Sequence, residues 1–166
     1  MNVWRVAVAL AVLGSAGCGP ETSLSGSLSE VFPLEVSRVE VHRNDEAFQV
    51  TYFYNRNVFL DVVVRLAVST QGVDLSPGKK IPLEGEYAPG HPRASISHAP
   101  GGEPVRLLPT IKKGDLTLSG GGLPGQLTSG SFSVAFESTG GDLGQGRTLT
   151  GRFSSKALDA GFGPLP

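Results

Sequence analysis

The 166-residue sequence is poor in the residues that usually tie a small domain together. It has a single cysteine, so no disulfide can close within the chain. Stability must then come from apolar burial. Charged residues make up 17% of the sequence with a formal net charge of −1. That balance lacks the basic face that nucleic-acid binding needs and excludes that class of partner. Long apolar runs are also missing. The one uninterrupted stretch, Val6–Leu13, has eight residues, and a membrane-spanning helix needs about 20. Beyond it, no segment repeats apolar residues at helical spacing over three turns, which excludes a helical bundle.

Period two is present instead. Val58, Leu60, Val62, Val64, Leu66 and Val68 share one parity, with Asp61, Arg65 and Ser69 between them. Phe48, Val50, Tyr52 and Tyr54 repeat the pattern just upstream. One continuous strand would aim Arg56 into the core, so a turn is expected at Asn55-Arg56-Asn57. Further strands are expected over 34–42, 79–83, 93–98, 104–111, 115–119, 127–137 and 147–157. Gly, Pro and Asn clusters separate them, as at Ser76-Pro77-Gly78 and Gly120-Gly121-Gly122. Eight or nine short strands predict an all-β fold, an antiparallel β-sandwich or alternatively a small β-barrel.

Two of these strands predict their own register. Gly130-Ser131-Phe132 and Gly151-Arg152-Phe153 share a Gly-x-Phe pattern. Setting Phe132 opposite Gly151 places Gly130 opposite Phe153 and Val134 opposite Leu149. Each ring then covers the glycine across from it. The pattern is similar to hairpins near the C-termini of uncharacterised β-rich bacterial surface lipoproteins, a likeness that assigns no activity.

The N-terminus carries an address. One positive charge, Arg5, precedes Val6–Leu13, and small residues lead to Ala16-Gly17-Cys18-Gly19. An apolar run of this length reads as an export signal and not as an anchor. Residues 1–19 resemble a bacterial lipoprotein signal peptide, with Ser15 standing where that family usually has leucine. The resemblance implies diacylglyceryl transfer to the Cys18 thiol, cleavage before Cys18, and acylation of the freed amine. Gly19 after the cysteine implies the outer membrane by the same analogy. Ordinary cleavage after Ala16 is the alternative and would give a secreted or periplasmic chain, but it leaves an unpaired thiol. The expected organisation is therefore a signal peptide over 1–17, a lipidated Cys18 with a flexible tether over 18–30, one β-domain over 31–160, and a disordered tail over 161–166.

Motifs that suggest chemistry resolve into simpler readings. Gly120-Gly-Gly-Leu-Pro-Gly125 matches a dinucleotide fingerprint, but Pro124 and the strand pattern after it read as a loop. His42, His91 and His98 are expected to be solvated, because no spacing gathers the three or four ligands that zinc needs. Glu84, Glu86, Tyr87, His91 and His98 lie in or beside one loop and form a candidate binding surface. Phe53, Phe59 and Val63, opposite the valine stripe, are either covered by another sheet or loop, as core residues usually are, or form a second such surface. Asp142 stands alone in a loop, whereas calcium wants six or more oxygens. The doublets Lys79-Lys80 and Lys112-Lys113 are expected to guard strand edges. No catalytic residue, metal ligand or cofactor is assigned.

Three function classes follow. The first is a non-catalytic, membrane-anchored lipoprotein whose β-domain binds or supports another envelope component. The second is a carrier of lipid or of a small apolar ligand. The third is a hydrolase whose site assembles from distant residues.

Overall fold

The computed structural model describes residues 22–56, 59–139 and 143–163. The expected signal over 1–17, Cys18, Asn57, Val58, Asp142 and the last three residues lie outside that set. The strands in chain order are β1 (Ser23–Ser25), β2 (Arg38–Arg43), β3 (Ala47–Arg56), β4 (Phe59–Ser69), β5 (Lys80–Pro82) and β6 (Glu86–Ala88). They continue as β7 (His91–Pro92), β8 (Ala94–Ala99), β9 (Arg106–Leu107), β10 (Ile111–Gly120), β11 (Leu127–Phe136) and β12 (Thr148–Leu158). Among the described residues the only helix is one 3-10 turn, Ser27–Glu30, and no helix is long and apolar enough to cross a membrane. The fold is all-β. The strand expected over 104–111 is split, with β9 just two residues long, because Pro104 and Pro109 offer no ladder donor.

Ten strands form one sheet in the order β5-β10-β11-β12-β2-β3-β4-β8-β9, with β1 added along β12; β6 and β7 form a separate ribbon. The sheet doubles back at β12. Thr150 to Arg152 of that strand pair with β1, and only Ala157 and Leu158 pair with β2. Between those contacts the two halves separate and face one another. Phe48 of β3 packs on Phe153 of β12 with ring centroids 6.0 Å apart, and Tyr52 of β3 meets Phe132 of β11 at 6.2 Å. The result is a sandwich whose layers share one corner. That corner is parallel, a departure from the expected all-antiparallel pairing. No hairpin links β2 to β12, so nothing in the local chain imposes the antiparallel sense.

The Gly-x-Phe hairpin has the expected register: Phe132 faces Gly151, Gly130 faces Phe153, and Val134 faces Leu149. Its glycines are dictated by close approach. A methyl group at Gly130 would stand 2.8 Å from the Phe153 ring, and one at Gly151 would overlap the Phe132 ring. β3 and β4 are separate paired strands, but Asn55 and Arg56 of the expected turn belong to β3, opposite Leu60 and Phe59, and Asn57 lies outside the described residues. Lys80 lies on β5, an edge strand of three residues.

Both chain ends of the domain are more ordered than the composition suggested. The tether expected over 18–30 is part of the fold from Ser23 onward. β1 adds to β12, and Leu28 is buried in the core. The tail expected over 161–166 is docked as far as Gly163. The Gln49 side chain pairs with that residue as a strand would, its Nε2 donating to the Gly163 carbonyl at 3.0 Å and its Oε1 accepting from the Gly163 N–H at 2.8 Å. Polarity misled the sequence reading at both ends, because one buried leucine and one buried amide anchor otherwise polar segments.

Tyr52 joins the halves through a polar contact as well. Its hydroxyl donates to the Arg152 carbonyl at 3.0 Å, and burial raises its pKa well above the ordinary phenol value. Two outcomes follow. Phe132→Ala should cost about 3–5 kcal/mol. Gly151→Ala should cost about 1–3 kcal/mol by overpacking. The double variant should lose less than the sum, since the two groups touch; denaturant melts measure all three. The second outcome concerns pH. Unfolded tyrosine ionises near pH ~10 while native Tyr52 stays protonated. Its contribution is therefore present below that value and lost as pH rises above it, by up to about 1.4 kcal/mol per pH unit. Tyr52→Phe should flatten the alkaline limb of the stability curve.

Candidate functional site

The valine stripe of β4 is interrupted once. Tyr52 pairs with Val64, but the next pair along the ladder is Phe53 with Val62, leaving Val63 without an opposite residue. This bulge resets which side chains face inward. Val64, Leu66 and Val68 point into the core as their parity predicts, whereas Leu60 is exposed and Asp61 is buried with 6% of its surface accessible. Asp61 was expected to face outward. The extra residue turns it the other way.

Asp61 and Val63 then form the floor of an open cleft of about 420 Å³ at this end of the sandwich. Phe32, Pro33 and Glu35 enter it from the segment between the 3-10 turn and β2. Tyr54 and Arg56 come from β3, His98 from β8, and Pro100 and Glu103 from the loop after it. The Phe32 ring lies flat on the His98 imidazole, 4.0 Å away with 17° between planes. His98 Nδ1 is 2.8 Å from the Val63 carbonyl. A carbonyl can only accept, so Nδ1 carries the proton and Nε2 of the neutral ring is the acceptor.

The acids in the cleft have different partners. Asp61 Oδ1 accepts from the Gly101 N–H, and Oδ2 lies 3.4 Å from Arg56 Nε. This contact fixes the loop after β8, and Gly101 is required there. A methyl group on it would stand 2.8 Å from Phe59 Cβ and 2.9 Å from Asp61 Oδ1. Glu103 pairs with Arg106 at 2.7 Å. Glu35 instead lies by the Tyr54 hydroxyl, and the carboxylate's pull on that proton, together with its charge, holds the Tyr54 pKa above its ordinary value. Among the described residues no cation pairs with Glu35.

The structure separates members of both surfaces expected from sequence. Phe53 is buried beneath the Arg38 guanidinium, 4.6 Å from its ring centre. Phe59 is 58% exposed at the hairpin end, while Val63 faces the cleft. Glu84 accepts from the Gly114 N–H and Glu86 from the Gly90 N–H. Tyr87 and His91 sit together on the β6–β7 ribbon, ring centres 5.7 Å apart. His98 belongs to the cleft and not to that group. Only His91 is well exposed, which corrects the expectation of three solvated histidines. His42 is buried, with Nδ1 bonded to the Ala160 carbonyl and the Phe162 ring beside it. Among the described residues no cluster of three potential metal ligands occurs. Gly121 and Gly122 have φ of 71° and 127°, so the glycine-rich run is a loop, as expected.

Sequence reasoning missed Phe32, Glu35, Tyr54, Arg56, Asp61 and Glu103. One signal was available: Asp61 is the sole acid within the β-branched run from Val58 to Val68. Asp61→Ala should leave the Gly101 N–H without its acceptor, cost about 1–3 kcal/mol, and speed amide exchange over residues 101–103. Asp61→Asn retains an acceptor and should do less. Hydrogen-exchange mass spectrometry compares the two.

No family model, curated protein or solved structure matches the chain.

Proposed function

We propose that this chain is an exported, lipid-anchored protein of the cell envelope that works by binding, and that the cleft receives a cationic group of its partner. The anchor half rests on Ala16-Gly17-Cys18 and on the absence of any other cysteine. Glu35 carries the binding half. Its carboxylate lines an open cleft beside Phe32 and Tyr54, and among the described residues it has no cation paired to it. An amine or guanidinium entering there gains the carboxylate and a cation–π contact, the latter worth about 0.5–1 kcal/mol at an exposed site.

The other readings have less support. Phe48, Tyr52, Phe132 and Phe153 fill the space between the layers, which is where a carrier would hold an apolar ligand. His98 is oriented by a carbonyl and covered by Phe32, whereas a catalytic base would be oriented by a carboxylate toward a nucleophile.

Both halves are testable separately. In cells fed a fatty-acid analogue, the wild-type chain should be labelled and sediment with membranes. Cys18→Ser should be unlabelled and remain unprocessed or become soluble, and a processed Cys18→Ser chain still bound to membranes would sink the anchor. For the cleft, acetyl-arginine amide and acetyl-lysine amide serve as probes in amide NMR titrations. Shifts should cluster at Phe32, Tyr54 and His98 and disappear in Glu35→Gln. Equal shifts with acetyl-glutamate amide, or none with either cation, would refute a cation site.

A further inference from the structure

At the end of the sheet away from the cleft, Leu123, Leu127 and Leu158 are 58%, 66% and 46% exposed. The three belong to one corner. Leu127 pairs with Lys156 across β11 and β12, so Leu158, two residues on, shares its outward face. The turn bearing Leu123 is bound to the same strand end, with the Gly125 N–H donating to the Ala157 carbonyl at 2.8 Å and the Ala157 N–H to the Gln126 carbonyl at 2.9 Å. Grouped exposed leucines in a chain with a filled core mark a surface that meets something apolar.

The course of the chain says what that is. β1 runs antiparallel to β12, with Ser23 opposite Arg152 and Ser25 opposite Thr150. The chain therefore enters β1 from the side of the C-terminal end of β12, where the leucines lie. Cys18 stands five residues before Ser23, at most about 17 Å of chain. From Arg152 to Leu158 is about 20 Å along the strand. We infer that this leucine corner seats the domain on a lipid bilayer beside the acyl chains of Cys18, holding the cleft at the far end away from the membrane. Lys156, between Leu127 and Leu158, would lie at the level of the headgroups. Asp74 and Arg43 share a hollow with Leu123, and Asp159 follows Leu158, so charges of both signs flank the corner and the contact needs no anionic lipid.

The inference rests on the lipid anchor proposed above, and the test separates the two. All described residues lie beyond Cys18, and Trp4 is the sole tryptophan. The chain 18–166 can therefore be coupled through its single thiol to a maleimide lipid in phosphatidylcholine vesicles, without cellular acylation. Leu158→Trp supplies one reporter and Phe59→Trp, at the cleft end, the control. Lipids spin-labelled near the headgroup should quench the Leu158→Trp reporter at least about twofold and spare the control. Replacing Leu123 and Leu127 by serine should reduce that quenching. Leu127→Trp repeats the measurement where Leu158→Trp fails to fold. An unquenched reporter, equal quenching at both sites, or a soluble dimer that already shields the corner would overturn the seating. Quenching in vesicles with no fatty-acid uptake in cells would sink the acylation reading and leave the leucine corner as a lipid-seating surface without acyl chains beside it.

Discussion

The fold depends on two rings meeting above a glycine. Phe132 lies over Gly151, and Tyr52 of the opposite layer reaches the same place to bond the Arg152 carbonyl. With no disulfide available, this contact and the Phe48–Phe153 pair are what press the layers together where the sheet has parted. The parallel joint of β12 with β2 spans just two residue pairs and could not do so alone. The glycines are the constraint. A side chain at either position would lift its ring and open the sandwich at its centre.

Asymmetry within β4 produces the cleft. Beyond Val63 toward Ser69 the strand has a regular inward stripe. On the other side one unpaired residue swings an acid inward, and that acid holds the Gly101 loop. The segment from Phe32 to Glu35 closes the other wall, with Phe32 resting on His98. The site is therefore a by-product of a register shift in a strand whose remaining residues are ordinary core.

The hairpin register was legible because face, spacing and ring-over-glycine pairing all pointed to one alignment. The bulge was not legible. A strict period-two reading of residues 58–68 has no means of marking where one residue drops out of the ladder, because bulging is decided by pairing with β3 and not by β4 itself. Val63 parts from Phe53 and Phe59 for this reason, as it is the residue that slips. Leu28 and Gln49 were invisible in another way. A single leucine in a serine-rich stretch, or one amide in a strand, acquires its role only when a distant segment arrives to be held.

The place of β12 bears on when the molecule can form at all. This strand borders β1, β11 and β2, partners near the start, the late middle and the early part of the chain. Every one of those ladders waits for residues 148–158, and Phe153 comes with them. An incomplete polypeptide thus has its local hairpins but no closed interior, and contacts so remote in sequence form slowly even once all residues are present. Were the chain exported N-terminus first, as proposed, that delay would be useful, since the fold would lock only once residues 148–158 had crossed.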